Sequence, residues 1–421
     1  MRHVFGAAVL VAATLVHGAS AAQPPSKPAA PAETKPDTSG PPTWMAIPLE
    51  GEFGTEVTAA GVVAAMNDAK NRKFGHVVFI VDSPGGRVED ARAIVEVLKP
   101  FSATIKCHCV VKKAEGAALW VVAASGTIFV AAKSEPLSFG IAGNDEEAKA
   151  ERARAADGFA DELAKIAGAH GHSPWIFRAI VAPKSELWLV PGDKPALSSS
   201  MPAAENARQI DGPDSTLTLN SELAVELRLA RSISEPSGDL VGAALGVAPW
   251  RSSKNAGAVH MKHAAMELVR LRKNFEASQK KYTESVDEMQ RRMERLPAMK
   301  EKAAADDPSK SVRVDYAYDL AYRRLMPESS RAWTDQTNKA IDDWQAVQAI
   351  VREADSLRKD ALRAADSTLR DAQTELKFRR LPVPTDAKPR EVPKLNFDPE
   401  AEWRNAANQI DKLNRSKGGP R

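Results

Sequence analysis

Val77-Val78-Phe79-Ile80-Val81-Asp82-Ser83-Pro84-Gly85-Gly86 is the stretch on which the fold turns. Its five leading residues are apolar and mostly β-branched, as suits a strand buried on both faces. The run breaks at once into a turn with two adjacent glycines. With no Cβ in the way, backbone N–H groups there can point at a bound oxygen, so the turn can serve as an oxyanion cradle. A second strand-like run at 104–111 follows, and then Ala114-Glu115-Gly116-Ala117-Ala118-Leu119-Trp120-Val121-Val122-Ala123-Ala124, which reads as a small-residue helix packed tightly beside a sheet.

Working outward, residues 44–51 supply an earlier strand, and 55–72 a helix with Val57, Val62, Val63 and Met66 on one side. A helix is expected over 88–98, and a strand over 127–131 is what the resemblance given below implies. Residues 144–169 form a helix with Phe159, Leu163 and Ile166 on one face, ended by His170-Gly171-His172. The two histidines are expected to be exposed cap residues, since no carboxylate or cysteine cluster completes a metal site. A helix over 175–181 and a strand over 186–190 come next. Strands alternating with helices imply a largely parallel sheet covered on both faces.

The residues Ile47-Pro48-Leu49-Glu50-Gly51, Ser83-Pro84-Gly85-Gly86 and Ala114-Glu115-Gly116-Ala117-Ala118 resemble the Clp protease/crotonase superfamily. Within it they are nearest to the NfeD-type and signal-peptide-peptidase-type serine proteases. Leu137-Ser138-Phe139-Gly140, the segment 216–224 and Leu229-Ala230 extend the resemblance, which spans about half of the chain, 44–247. It implies a Ser-Lys dyad beside the Gly85/Gly86 oxyanion and peptide-binding turn. In this register the nucleophile position is Gly116 and the base region falls at Arg152 and Arg154. Glycine offers no hydroxyl, and arginine stays protonated and cannot act as the base. The catalytic pair is therefore read as degenerate. The fallbacks are Ser83, Ser125 or Ser138 as a nucleophile of another origin, Lys149 as a recruited base, and Glu115 as a general acid/base for crotonase-like acyl chemistry.

Residues 1–22 read as a secretory signal peptide: a basic start, a short apolar core and small residues before a cut near Ala21 or Ala22. The core is too short to span a bilayer. Residues 23–43 are a Pro/Ala-rich leader, expected to be disordered. The chain's 421 residues point to more than one folded unit. With 58 Lys+Arg against 55 Asp+Glu, interspersed, no bulk charge favours nucleic acid. The two cysteines, Cys107 and Cys109, flank His108. On a strand the thiols share a face and the imidazole points away. A structural thiol pair is the plain reading, and a strained disulfide is the alternative open to an exported chain.

Beyond residue 250 the composition turns to long charged helices. Met261, Ala265, Leu268, Phe275, Tyr282, Val286, Met289, Met293 and Leu296 follow steps of three and four, the seam of a coiled coil. Pro297 is expected to end that helix. Trp344, Val347, Val351 and Ala354, then Leu362, Ala365, Leu369, Ala372 and Leu376, form a second stripe with a register slip between the groups. Tyr316, Tyr318 and Tyr322 lie between the helices and are expected to pack the base of the hairpin. The expected fold class is thus α/β, a Clp protease/crotonase-like parallel sheet with helices over 44–250, followed by a coiled-coil helical hairpin over 251–381. The tail, 382–421, is Pro- and charge-rich and expected to be mostly disordered, with a short helix near 400–413.

The functional expectation is an exported, periplasmic or extracellular homologue of these proteases, catalytically silent and binding a peptide or protein as a homo-oligomeric scaffold. An active peptidase and the Glu115 chemistry are the alternatives. No cofactor, no metal, no nucleic-acid partner and no integral membrane segment after signal cleavage are expected.

Overall fold

The computed structural model describes residues 11–12, 43–131, 137–138, 146–183, 185–192, 196–212, 215–247, 249–253, 255–311, 316–319, 324–327 and 330–417. They divide into two compact units. One comprises residues 17–271 with 374–383, the other 1–16, 272–373 and 384–421.

After a two-residue strand, β1 (Val11–Ala12), the α/β unit begins with β2 (Thr43–Glu50), α1 (Ala59–Asn71), β3 (His76–Ser83), α2 (Val88–Leu98), β4 (Lys106–Glu115), α3 (Ala118–Ala123), β5 (Thr127–Ala131) and β6 (Leu137–Ser138). It continues through α4 (Glu146–Ala169), α5 (Pro174–Val181), β7 (Leu187–Val190), β8 (Ala196–Ser198), β9 (Arg208–Asp211), α6 (Ser221–Glu226), β10 (Ala230–Ile233), α7 (Gly238–Ala244) and β11 (Arg251–Ser252). The main sheet runs β10-β5-β4-β3-β2-β11, with β6 beside the end of β4. Every pairing in it is parallel. β7 instead pairs antiparallel with β8 and β9 in a separate three-stranded sheet.

The strands alternate because both sheet faces are covered. Met45, Ile47, Val77, Phe79, Cys109, Val111 and Ile128 join the large core with α1 to α5. Trp44, Val78, Val110 and Phe129 face the other way, onto Ile233 and Val241. Helix α1 starts at Ala59, later than the sequence suggests, because the Thr58 hydroxyl caps it by accepting from Gly61 N. Likewise β4 runs on through Ala114 and Glu115, so α3 begins only at Ala118. Register partners for Ala114 and Glu115 in β6 hold that end extended.

The second face carries a pH-sensitive pair. His108 is 5% exposed and its Nε2 lies 3.1 Å from His76 Nδ1. Burial, then the positive charge of His76, Lys106 and Arg231, pushes the His108 imidazole down to about 4, from an ordinary 6.5. His76 is lowered too, by burial and Lys106. Between pH 6.5 and 4 the unfolded chain binds the proton that native His108 refuses, so stability falls as pH falls through that window. The expected loss is about 3 kcal/mol for this group. Urea unfolding at pH 7 and pH 4 checks this, and His108→Gln should remove that share of the difference.

In the other unit, α8 (Ala256–Ala305) and α10 (Ser330–Phe378) are long helices separated by α9 (Pro308–Ser311) and an antiparallel ribbon of β12 (Tyr316–Asp319) with β13 (Arg324–Pro327). Ser278 bonds Asp371 at 2.7 Å, Arg292 pairs with Glu353 at 3.1 Å, and Lys302 with Asp343 at 2.7 Å. Positions rise along one helix as they fall along the other, so within this unit the helices are antiparallel. Pro297 does not end α8. Leu296 and Ala303 on either side of it are buried against Ala340, Ile341, Trp344 and Val347, and that burial outweighs the lost hydrogen bond. Leu362 is exposed; Ala361, Ala364 and Ala365 carry the buried stripe there. Tyr316 and Tyr318 lie on β12, and Tyr322 lies outside the described residues.

The tail is also more ordered than its composition suggests. After β14 (Asp386–Ala387), which pairs with β1, comes α11 (Pro399–Ser416). Asp398 caps α11, and Ala406 and Leu413 join the helical core. The rest of the signal-peptide stretch and the leader through 42 lie outside the described residues. No helix among the described residues is long and apolar enough to cross a membrane.

Candidate functional site

Parallel strands deliver their C-terminal ends to one edge, and there β3 ends in the Gly-Gly turn while β4 ends at Glu115. Gly85 and Gly86 adopt φ of +108° and +119°, and Gly116 +50°. All three lie in the region that glycine tolerates best. The two turns touch: a β-carbon on Gly85 would sit 3.0 Å from Glu115 O and 3.5 Å from Ala117 N. Phe53 clamps the first turn, donating from its N–H to Gly85 O at 2.8 Å and accepting from Arg87 N–H at 3.0 Å.

The cradle is not the one expected from the glycine pair alone. Gly85 N–H already donates to Ser83 Oγ at 3.1 Å. Among the described residues, the N–H groups of Gly86 and Ala117 meet no hydrogen-bond acceptor. Each is a donor left open to an oxyanion or a peptide carbonyl. Gly116 precedes Ala117 and lies against Gly85. A β-carbon there would have one neighbour within 4 Å, Gly85 Cα at 3.6 Å, so space for a nucleophile exists and the side chain does not.

The other candidate residues divide clearly. Ser83 is fully buried and its hydroxyl donates to Gly51 O at 2.7 Å, which makes it the pin of the turn. Ser125 is also buried, at the far end of α3, and donates to Val121 O at 2.9 Å. Glu115 lies beside the cradle, its carboxylate 3.8 Å from Lys113 Nζ. Ser138 is the register partner of Glu115 across β4–β6, so its backbone adjoins Gly116. Lys149, Arg152 and Arg154 sit on α4. The side chains of Ser138, Lys149, Arg152 and Arg154, and all of Phe139 and Gly140, lie outside the described residues.

Cys107 and Cys109 are free thiols, so the disulfide alternative is not formed in this structure. Burial pushes both up to about 12, with Ser125 and Phe129 partly opposing it at Cys109. Neither is a thiolate at neutral pH. His170 is exposed as a cap should be. His172 is not: it is half-buried, with Nε2 2.6 Å from Ser125 O. No group of three or more His, Cys, Asp or Glu side chains among the described residues could hold a metal ion.

One supporting residue has no signal in the local sequence. Asp90, in the first turn of α2 just after the Gly-Gly turn, is wholly buried and takes a bidentate pair from Arg379, which is 4% exposed. Arg379 Nε lies 2.9 Å from Asp90 Oδ1, and Nη2 donates to Oδ2. Gly54 leaves the room for it: a β-carbon there would lie 2.6 Å from Asp90 Oδ2.

The parallel sheet, the glycine turn on β3 and the small-residue helix after β4 make this an α/β fold with both sheet faces covered. Among the solved structures similar to this chain are two of one protease. A serine-to-alanine mutant of the 1510-N membrane-bound stomatin-specific protease matches over 48% of this chain and 84% of its own, at 13% identity and a TM-score of 0.33. A lysine-to-alanine mutant of that protease in complex with a substrate peptide matches over 47% and 77%, at 14% identity and 0.33. No family model and no curated protein matches the chain.

Proposed function

We propose that the protein is an exported, catalytically silent homologue of the Clp/NfeD-type serine proteases that holds an extended peptide or protein segment at the Gly86/Ala117 cradle. The observation that carries this reading is Gly116: the donors and the space are kept, and no described hydroxyl or thiolate stands over them. Extended backbone needs only main-chain partners to dock, so binding survives the loss of the nucleophile. The helical unit would then present or oligomerise the binding domain, with the mature chain in the periplasm or outside the cell. Incubating the repurified protein with casein and with a fluorophosphonate probe tests it. Neither turnover nor labelling is expected, and stoichiometric labelling would overturn the reading.

A second reading, an active peptidase, is favoured by one observation, the position of Ser138 opposite Glu115 beside Gly116. Labelling that disappears in Ser138→Ala would establish it.

A further inference from the structure

At the opposite strand ends from the cradle, where β4 and β5 begin, α2, α3 and α4 enclose a cavity of about 690 Å³. That volume lies within the range of small-molecule sites, about 300–1,000 Å³. Its lining is mostly apolar: Ile166 is half-buried along one wall, and Leu98, Ile105 and Trp120 lie close behind the surface. The walls are braced. Arg92 on α2 reaches Glu162 on α4 with Nε at 2.8 Å from Oε1, and its guanidinium lies 5.4 Å from the Phe159 ring centroid.

The lining carries four cations, Arg92, Lys99, Lys106 and Lys165, against two carboxylates, Glu96 and Glu162. Both carboxylates are taken, by Lys99 and Arg92. Lys106 and Lys165, exposed at the mouth, have no ion-pair partner among the described residues. We infer that this cavity binds a single-chain amphipathic anion, its carboxylate between Lys106 and Lys165 and its alkyl body along Leu98 and Ile166. A second copy of the chain is a poorer occupant, because a two-fold contact would set this excess of positive charge against itself. The site does not depend on the cradle or on whether the protein is a peptidase.

Calorimetric titration with dodecanoate, below its micelle concentration, tests the assignment, with dodecanol as the neutral control. Saturable binding of dodecanoate is expected, at least tenfold weaker for dodecanol and for Lys106→Glu/Lys165→Glu. Ala169→Trp, a substitution at the exposed rim, should abolish it while leaving the thermal midpoint unchanged. Absence of dodecanoate binding, equal affinity for dodecanol, or binding unaltered by both variants would each overturn the assignment. So would a dimer, seen by sedimentation, that Ala169→Trp dissociates and dodecanoate leaves intact.

Discussion

Arg379→Ala should cost about 3–5 kcal/mol of unfolding free energy, because it leaves the Asp90 carboxylate buried without a partner. Asp90 has no exposure to water through which to recover its hydration, and among the described residues its ion-pair partner is Arg379. The lost midpoint is on the order of 10 °C for a unit of this size. Arg379→Lys should fall between, since an ammonium cannot make both bonds of the fork. Replacing both residues by apolar ones of similar volume should recover much of the loss, which would separate the isolated charge from the packing. An exposed pair such as Lys99–Glu96 gives the contrast, with at most about 1 kcal/mol expected on its removal. Urea unfolding of the four variants measures all of this, and an Arg379→Ala loss below about 1 kcal/mol would show that water reaches Asp90.

Gly86→Ala is the second large effect, and it acts on the cradle itself. Its new methyl would lie 2.5 Å from Phe53 O and 2.6 Å from Phe53 N, both backbone atoms, at a φ of +119°. The backbone conformation alone costs about 1–3 kcal/mol for a residue with a Cβ, and displacing the Phe53 backbone about as much again. Because Phe53 also holds Gly85 and Arg87, the displacement moves the Gly86 N–H. Binding of an extended peptide should therefore be lost along with stability, as titration calorimetry would show. Gly75→Ala, where an added methyl meets nothing within 4 Å, should change stability by less than about 0.5 kcal/mol and leave binding intact.

The parts of this fold legible in the sequence are those fixed by neighbours along the chain. The apolar run 77–81 and the helix at 88–98 follow from their own stretch of chain, and the structure places them as β3 and α2. Gly85 and Gly86 were equally legible, since glycines beside a strand end announce an unusual backbone; Gly116 reads as part of a helix, and only the extension of β4 puts it at a strand end. What could not be read depends on residues far apart. Nothing around Arg379 distinguishes it from the other charges of a basic helix end. The second donor of the cradle, Ala117, has no chemical signature in its side chain at all. Ser83 beside two glycines invites a catalytic role until its hydroxyl is seen bonded to Gly51 O. Pro297 shows the converse: a strong local signal overruled by the burial of Leu296 and Ala303.

The bond between Asp90 and Arg379 joins residues 289 positions apart, and the chain departs from the α/β unit at 271 to rejoin it at 374. A fragment stopping near 271 would therefore lack the guanidinium that neutralises Asp90, however complete its sheet. During synthesis the unit must wait with that carboxylate unmet until the last long helix has emerged. Closing so large a loop is a slow search, so the α/β unit reaches its full stability only after the two long helices between its parts have been made.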